Sequence, residues 1–125
     1  MRALEFLIDK TGALISPTTT SKAMTAGVVS PPDQNQITLI FYDDIETSAG
    51  GTITPIDPVT SGLTGTVTLQ ARSTEDSAWS DIEGGVLNLA TDNMCFPSGV
   101  IESILATCDT VAGCEYILIR FDRGA

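Results

Sequence analysis

Apolar and polar residues alternate along most of this chain. In ALEFLI, Leu4, Phe6 and Ile8 share one face and Glu5 lies on the other. QITLIFYDD sets Ile37, Leu39 and Phe41 on one face, with Ile40 and Tyr42 on the opposite one. GTVTLQAR turns Val67, Leu69 and Ala71 inward and Thr66, Thr68, Gln70 and Arg72 outward. EYILIRFD opposes Ile117, Ile119 and Phe121 to Tyr116, Leu118 and Arg120. A period of two is the signature of strands, because successive side chains leave a pleated backbone on opposite sides.

Shorter segments fit between these. DKTG reads as a turn that returns the first strand as ALIS, residues 13–16. TITPIDP is a short strand that Pro55 confines to an edge or an end, since proline has no N–H to give a ladder. AWSDI reads as the return strand after the STEDS loop, carrying Trp79 and Ile82 toward the core. EGG then makes a turn before GVLNL, where Leu87 and Leu89 share a face. VIESILATC fits one and a half helical turns as well as a strand; its flanking glycine and β-branched residues favour the strand. The tally is about seven to nine short strands with turn residues between them. That predicts an all-β protein, a single antiparallel β-sandwich of immunoglobulin-like or jelly-roll type with an extended N-terminal hairpin and arm.

PTTTSKAMTAG, residues 17–27, breaks the pattern. It is small and polar, and VVSPPDQNQ closes it with two prolines that stop any helix. The chain therefore divides into residues 1–34, a strand pair with a Thr/Ser/Pro-rich arm, and residues 35–125, the sandwich, within one domain overall. An extended arm can add a strand to a neighbour's sheet edge. Pro17, Thr18, Thr19 and Thr20 are accordingly candidate partner-binding residues. Ile40 and Tyr42 join them, because an apolar second face suggests contact with a neighbour. On this reading the sandwich folds without residues 1–33.

Composition changes the picture in three ways. The 125 residues suit one domain, and 42% hydrophobic against 18% charged is a globular balance. Sixteen acidic side chains oppose six basic ones, for a net charge of −10. Such a surface repels nucleic acid and anionic lipid, so neither is expected as a partner. MRALEFLIDK has no signal-peptide pattern and no apolar stretch approaches membrane-spanning length, so synthesis and folding in a cytoplasm are expected.

Candidate chemistry is sparse. The chain has no histidine, which removes the usual general base and zinc ligand together. A Ser or Cys nucleophile would need Lys10 or Lys22 as its base, and both fall in the N-terminal turn and arm. Carboxylates occur in YDDIE, STEDS and SDIEGG, at strand ends and loops where solvated charge is ordinary. Calcium would require YDDIE and STEDS to converge, since six to eight oxygens cannot come from one loop. The expectation is a protein that is not an enzyme, with no cofactor and no metal site. Cys108 and Cys114 flank DTVAG and could face each other across a hairpin, but three cysteines in a cytoplasmic chain are better read as reduced, buried thiols. Trp79 reads as a core residue that anchors the returning strand.

The stretch GTVTLQARSTEDSAWSDI, then GVLNL, then FPSGVIESILATCDTVAGCEYILIRFD resembles small β-sandwich structural proteins of tailed-bacteriophage virions. Residues 65–82 and 98–123 carry the likeness. The resemblance implies a virion component made in the host cytoplasm, most of all a head decoration or cement protein that binds and stabilises the shell. Its implied partner is the major capsid protein or another virion protein, and it would itself be a homo-oligomer, a trimer among the options. A neck, tail or fibre accessory protein is an alternative within the same class. A carbohydrate-binding module using Trp79 with Tyr42 or Tyr116 is the rival from a different class.

Overall fold

The computed structural model describes residues 2–16, 35–74, 76–97, 101 and 103–123. Nine strands are found among them: β1 (Arg2–Asp9), β2 (Leu14–Ser16), β3 (Gln36–Thr47), β4 (Ile53–Val59), β5 (Thr64–Arg72), β6 (Ser80–Asn88), β7 (Met94–Cys95), β8 (Ser103–Ala112) and β9 (Tyr116–Arg123). They form two antiparallel sheets, and the chain is a β-sandwich. The larger sheet runs β2-β1-β9-β3-β4, with the two-residue β7 also paired to β3; the smaller runs β6-β5-β8.

The alternation read from the sequence becomes the core. Phe6 pairs with Ile119 and Ile119 with Leu39; Ile8 pairs with Ile117 and Ile117 with Phe41. Each row crosses three strands and turns inward, and Ile117, Ile119 and Phe121 have no exposure. From the smaller sheet, Val67, Leu69, Leu87, Ile104 and Ala106 meet them. Burying one such side chain contributes roughly 1.5–3 kcal/mol. The segment that fitted helix or strand is β8, whose Ile104 is fully buried on the inner face.

β1 lies between β2 and β9, well inside the larger sheet. All eight of its residues pair with β9. Residues 2–16, grouped with the arm in the sequence reading, thus form two strands of the larger sheet. Asp9 organises the β1–β2 turn: its carboxylate accepts the N–H groups of Thr11 (2.8 Å) and Ala13 (3.1 Å) and the Thr11 hydroxyl. Partial burial works to raise this carboxyl, but those bonds outweigh it and hold the carboxyl below its ordinary value.

Two local expectations are corrected, for EGG and Trp79, and the alternative of a facing Cys108–Cys114 pair is set aside. EGG, residues 83–85, is not a turn, because β6 continues through it as an irregular bulge between Asp81, opposite Gln70, and Val86, opposite Thr68. Gly85 makes this feasible: a Cβ there would stand 2.8 Å from the carbonyl oxygens of both Ile82 and Leu69. Cys108 and Cys114 do not face each other across a hairpin, since β8 and β9 belong to different sheets and their link crosses the sandwich. All three cysteines are free thiols. Trp79 is not a core residue: it precedes β6, is half-buried, and has the Arg72 guanidinium 4.4 Å from its ring centre. The inward position of this strand belongs to Ile82.

Candidate functional site

The outer face of the larger sheet, turned away from the smaller one, carries two of the residues singled out by pattern. Ile40 lies beside Leu118, and Leu118 beside Leu7, in one row across β3, β9 and β1. The next row holds Tyr42 beside Tyr116, with Pro58 of β4 on the other side of Tyr42. Alternation dictates this arrangement: since Phe41 and Ile117 must enter the core, Tyr42, Ile40, Tyr116 and Leu118 must leave it. Ile40, Tyr42, Tyr116 and Leu118 are each half-buried, while Leu7 is only 2% exposed although it points away from the core.

This face has a charged border. Glu5, Arg120 and Thr38 form the row on one side of the apolar strip. Arg120 donates through Nε to Asp122 at 3.1 Å, and Lys10 meets Glu115 at 2.9 Å beyond the tyrosine pair. Exposed pairs of this kind contribute little stability. Their effect is to surround the apolar strip with fixed polarity.

Sequence reasoning found Ile40 and Tyr42 and missed Leu7. The signal was present, because Leu7 alternates with Phe6 and Ile8 and so must lie on the other face with Glu5. Its partnership with Leu118 depends on β1 pairing with the last strand, which no local pattern announces. Pro17, Thr18, Thr19 and Thr20 lie outside the described residues.

The candidate chemical groups do not converge. Asp43, Asp44 and Glu46 sit on the part of β3 that runs on with β4 past the tyrosine pair. Ser73, Thr74 and Asp76 follow β5 at the opposite end, where Arg72 pairs with Ser103. Among the described residues, Asp43, Asp44 and Glu46 therefore do not converge with Ser73, Thr74 and Asp76 on one calcium site. Among the described residues no cluster of three or more His, Cys, Asp or Glu is placed to hold a metal. Burial pushes the thiols of Cys95, Cys108 and Cys114 up to about 11, which leaves them protonated and poor nucleophiles. Among the described residues no helix is long and apolar enough to cross a membrane.

A second feature lies at the end of the sandwich near the start of β3. A groove of about 1010 Å³ opens there between the β5–β6 connection and β7. Trp79 adjoins this end, whereas Tyr42 and Tyr116 lie at the other, so the three aromatics do not form one platform. Comparison of the chain with known protein families, curated proteins and solved structures finds no match.

Proposed function

We propose that this protein is a non-enzymatic structural component of a tailed-bacteriophage virion, a decoration or cement protein that binds the head shell through the outer face of its larger sheet. The observation that carries the reading is the apolar strip of Ile40 and Leu118, flanked by Tyr42 and Tyr116, on a face that the smaller sheet does not cover. Aromatic and aliphatic side chains with a charged border are what a stable protein interface buries. The likeness of residues 65–82 and 98–123 to virion sandwich proteins supplies the kind of partner. The net charge of −10 supports a protein partner over nucleic acid. Copies arranged on a symmetric shell would meet the coat protein in equivalent environments, and self-association into a closed ring or trimer belongs to the same reading.

The test is binding of purified protein to shells that lack it. Ile40→Glu places a charge in the middle of the strip without entering the core. It is expected to lower shell occupancy by roughly tenfold or more, as removal of an interface anchor does, while circular dichroism stays that of the parent. Undiminished binding by the variant would show that this face is not the shell contact.

A further inference from the structure

β3 outruns its neighbour β9. The two pair only as far as Tyr42, opposite Tyr116, while β3 continues to Thr47. Past that row its one strand partner among the described residues is β4, with Asp44 opposite Ile56, Ile45 opposite Pro55, Glu46 opposite Thr54 and Thr47 opposite Ile53. Residues 43–47 and 53–57 thus form a two-stranded ribbon that runs on from the larger sheet. Its tip is closed by hydrogen bonds: the Ser48 N–H donates to the Thr52 carbonyl at 2.9 Å, and the Thr52 N–H to Ser48 Oγ at 3.1 Å. A ribbon built in advance loses less freedom when a partner takes it.

The apolar side chains of the ribbon lie outside the core. Ile45, Ile53 and Ile56 are half-buried, and none belongs to the core or to the residues packed against it. Alternation divides them between two faces. Asp43, Ile45, Pro55 and Ile53 share one; Asp44, Glu46 and Ile56 share the other. The segment 43–57 holds four carboxylates, Asp43, Asp44, Glu46 and Asp57, and no lysine or arginine. All four are exposed, and the ion pairs among the described residues lie elsewhere. Two strands alone bury too little to be stable in water, so the ribbon gains by covering its isoleucines against another surface.

These two features together narrow the occupant. A nucleic acid or anionic lipid would be repelled. A small cation, metal or organic, would leave the isoleucines bare, and among the described residues no three acidic groups are placed to hold a metal. A second copy of this chain brings sixteen acidic side chains against six basic ones, of which Lys10 and Arg120 already meet Glu115 and Asp122. On the β4 side, Pro55 and Pro58 leave no regular ladder to extend, so contact there is through side chains. The surface that suits the ribbon is that of a different protein, with apolar side chains for the isoleucines and lysine or arginine for the carboxylates.

We propose that the ribbon is a second docking element, which enters a cleft of the shell protein with an apolar floor and a lysine- or arginine-bearing rim. The inference rests on the shell reading above and adds to it: the outer-face strip anchors the protein, and the ribbon makes a charge-steered contact beside it. Opposite charges at a rim act mainly on the association rate and its salt dependence, whereas apolar anchors act on dissociation.

The experiment follows binding of the full chain to immobilised shells that lack it, at salt from about 50 mM to about 500 mM. Association of the parent is expected to slow as salt rises. The triple variant Asp43→Asn, Asp44→Asn, Glu46→Gln should associate roughly fivefold to tenfold more slowly at low salt, with a flatter salt dependence and the parent's thermal transition. Ile45→Ser should instead hasten dissociation by roughly threefold to tenfold. Ile40→Ser, in the outer-face strip, should lower affinity and keep the parent's salt dependence. The proposal is overturned if the triple variant matches the parent in rate and salt dependence, if it binds more tightly, or if Ile45→Ser leaves dissociation unchanged. Binding weakened by Ile40→Ser and by neither ribbon change overturns this inference alone; a parent that does not bind the shells overturns the shell reading and this inference with it.

Discussion

Arg72 alternates outward on β5 and ends with its guanidinium over the ring of Trp79. The strand pattern shows where Arg72 points but not that it takes the tryptophan with it. A single aromatic next to a strand looks like a core anchor unless its cationic neighbour is known to be in reach. The cysteines show the reverse case, in which residue type alone is informative. Burial lifts each thiol to about 11; nearby Asp9 and Cys114 add to this at Cys108, and Asp43 and Glu115 at Cys114. An unfolded thiol ionises near 9.0. Folding therefore keeps protons that the unfolded chain releases, so stability is intact below pH 9 and declines as pH rises toward 11. Urea titrations should give a midpoint that holds from neutral pH to about 9 and then falls. The fall should be smaller in a variant with Cys95, Cys108 and Cys114 all changed to Ala; an equal fall would assign it to other groups.

β4 shows how an edge is kept from recruiting another strand. It forms one border of the larger sheet and carries Pro55 and Pro58, with Asp57 between them at φ 60°. Two missing N–H groups and a left-handed residue leave no regular ladder for a neighbour to complete. Replacing both prolines, Pro55→Val with Pro58→Val, should raise the apparent mass in light scattering as concentration increases. A strictly monodisperse double variant of unchanged mass would mean that the prolines do not guard this edge. The proline was readable in the sequence, and so were β3, β5 and β9, which stand close to the bounds their alternation predicts. The bulge in β6 was not, because Gly84 and Gly85 between two apolar runs have the composition of a turn. Only the position of Leu69 and Ile82 against Gly85 shows that the strand continues.

Across the whole molecule, the first and last strands lie side by side in the larger sheet, and that pairing carries Phe6 and Ile8 into the core. A chain truncated before residue 34 would lose β1 and β2 and expose the inner rows of β9. It is expected to unfold or aggregate, with loss of the sheet signal in circular dichroism; a cooperative thermal transition like the parent's would contradict the topology. The same pairing explains what the sequence could not show about the candidate surface. Ile40 and Tyr42 were legible from one strand, but a continuous strip from β3 to β1 depends on contacts between residues more than a hundred positions apart, and such register is set by the packed sandwich and not by local propensity.

The central claim concerns where the protein resides, and its most direct test is quantitative mass spectrometry of purified virus particles from the source of this chain. The account predicts that the protein is present, at a copy number in a simple ratio to the coat protein, since shell symmetry fixes the multiplicity of anything bound to it. A count matching one ring or spike would contradict shell decoration and place the protein at the neck or tail. Absence from the particle would contradict the virion reading altogether.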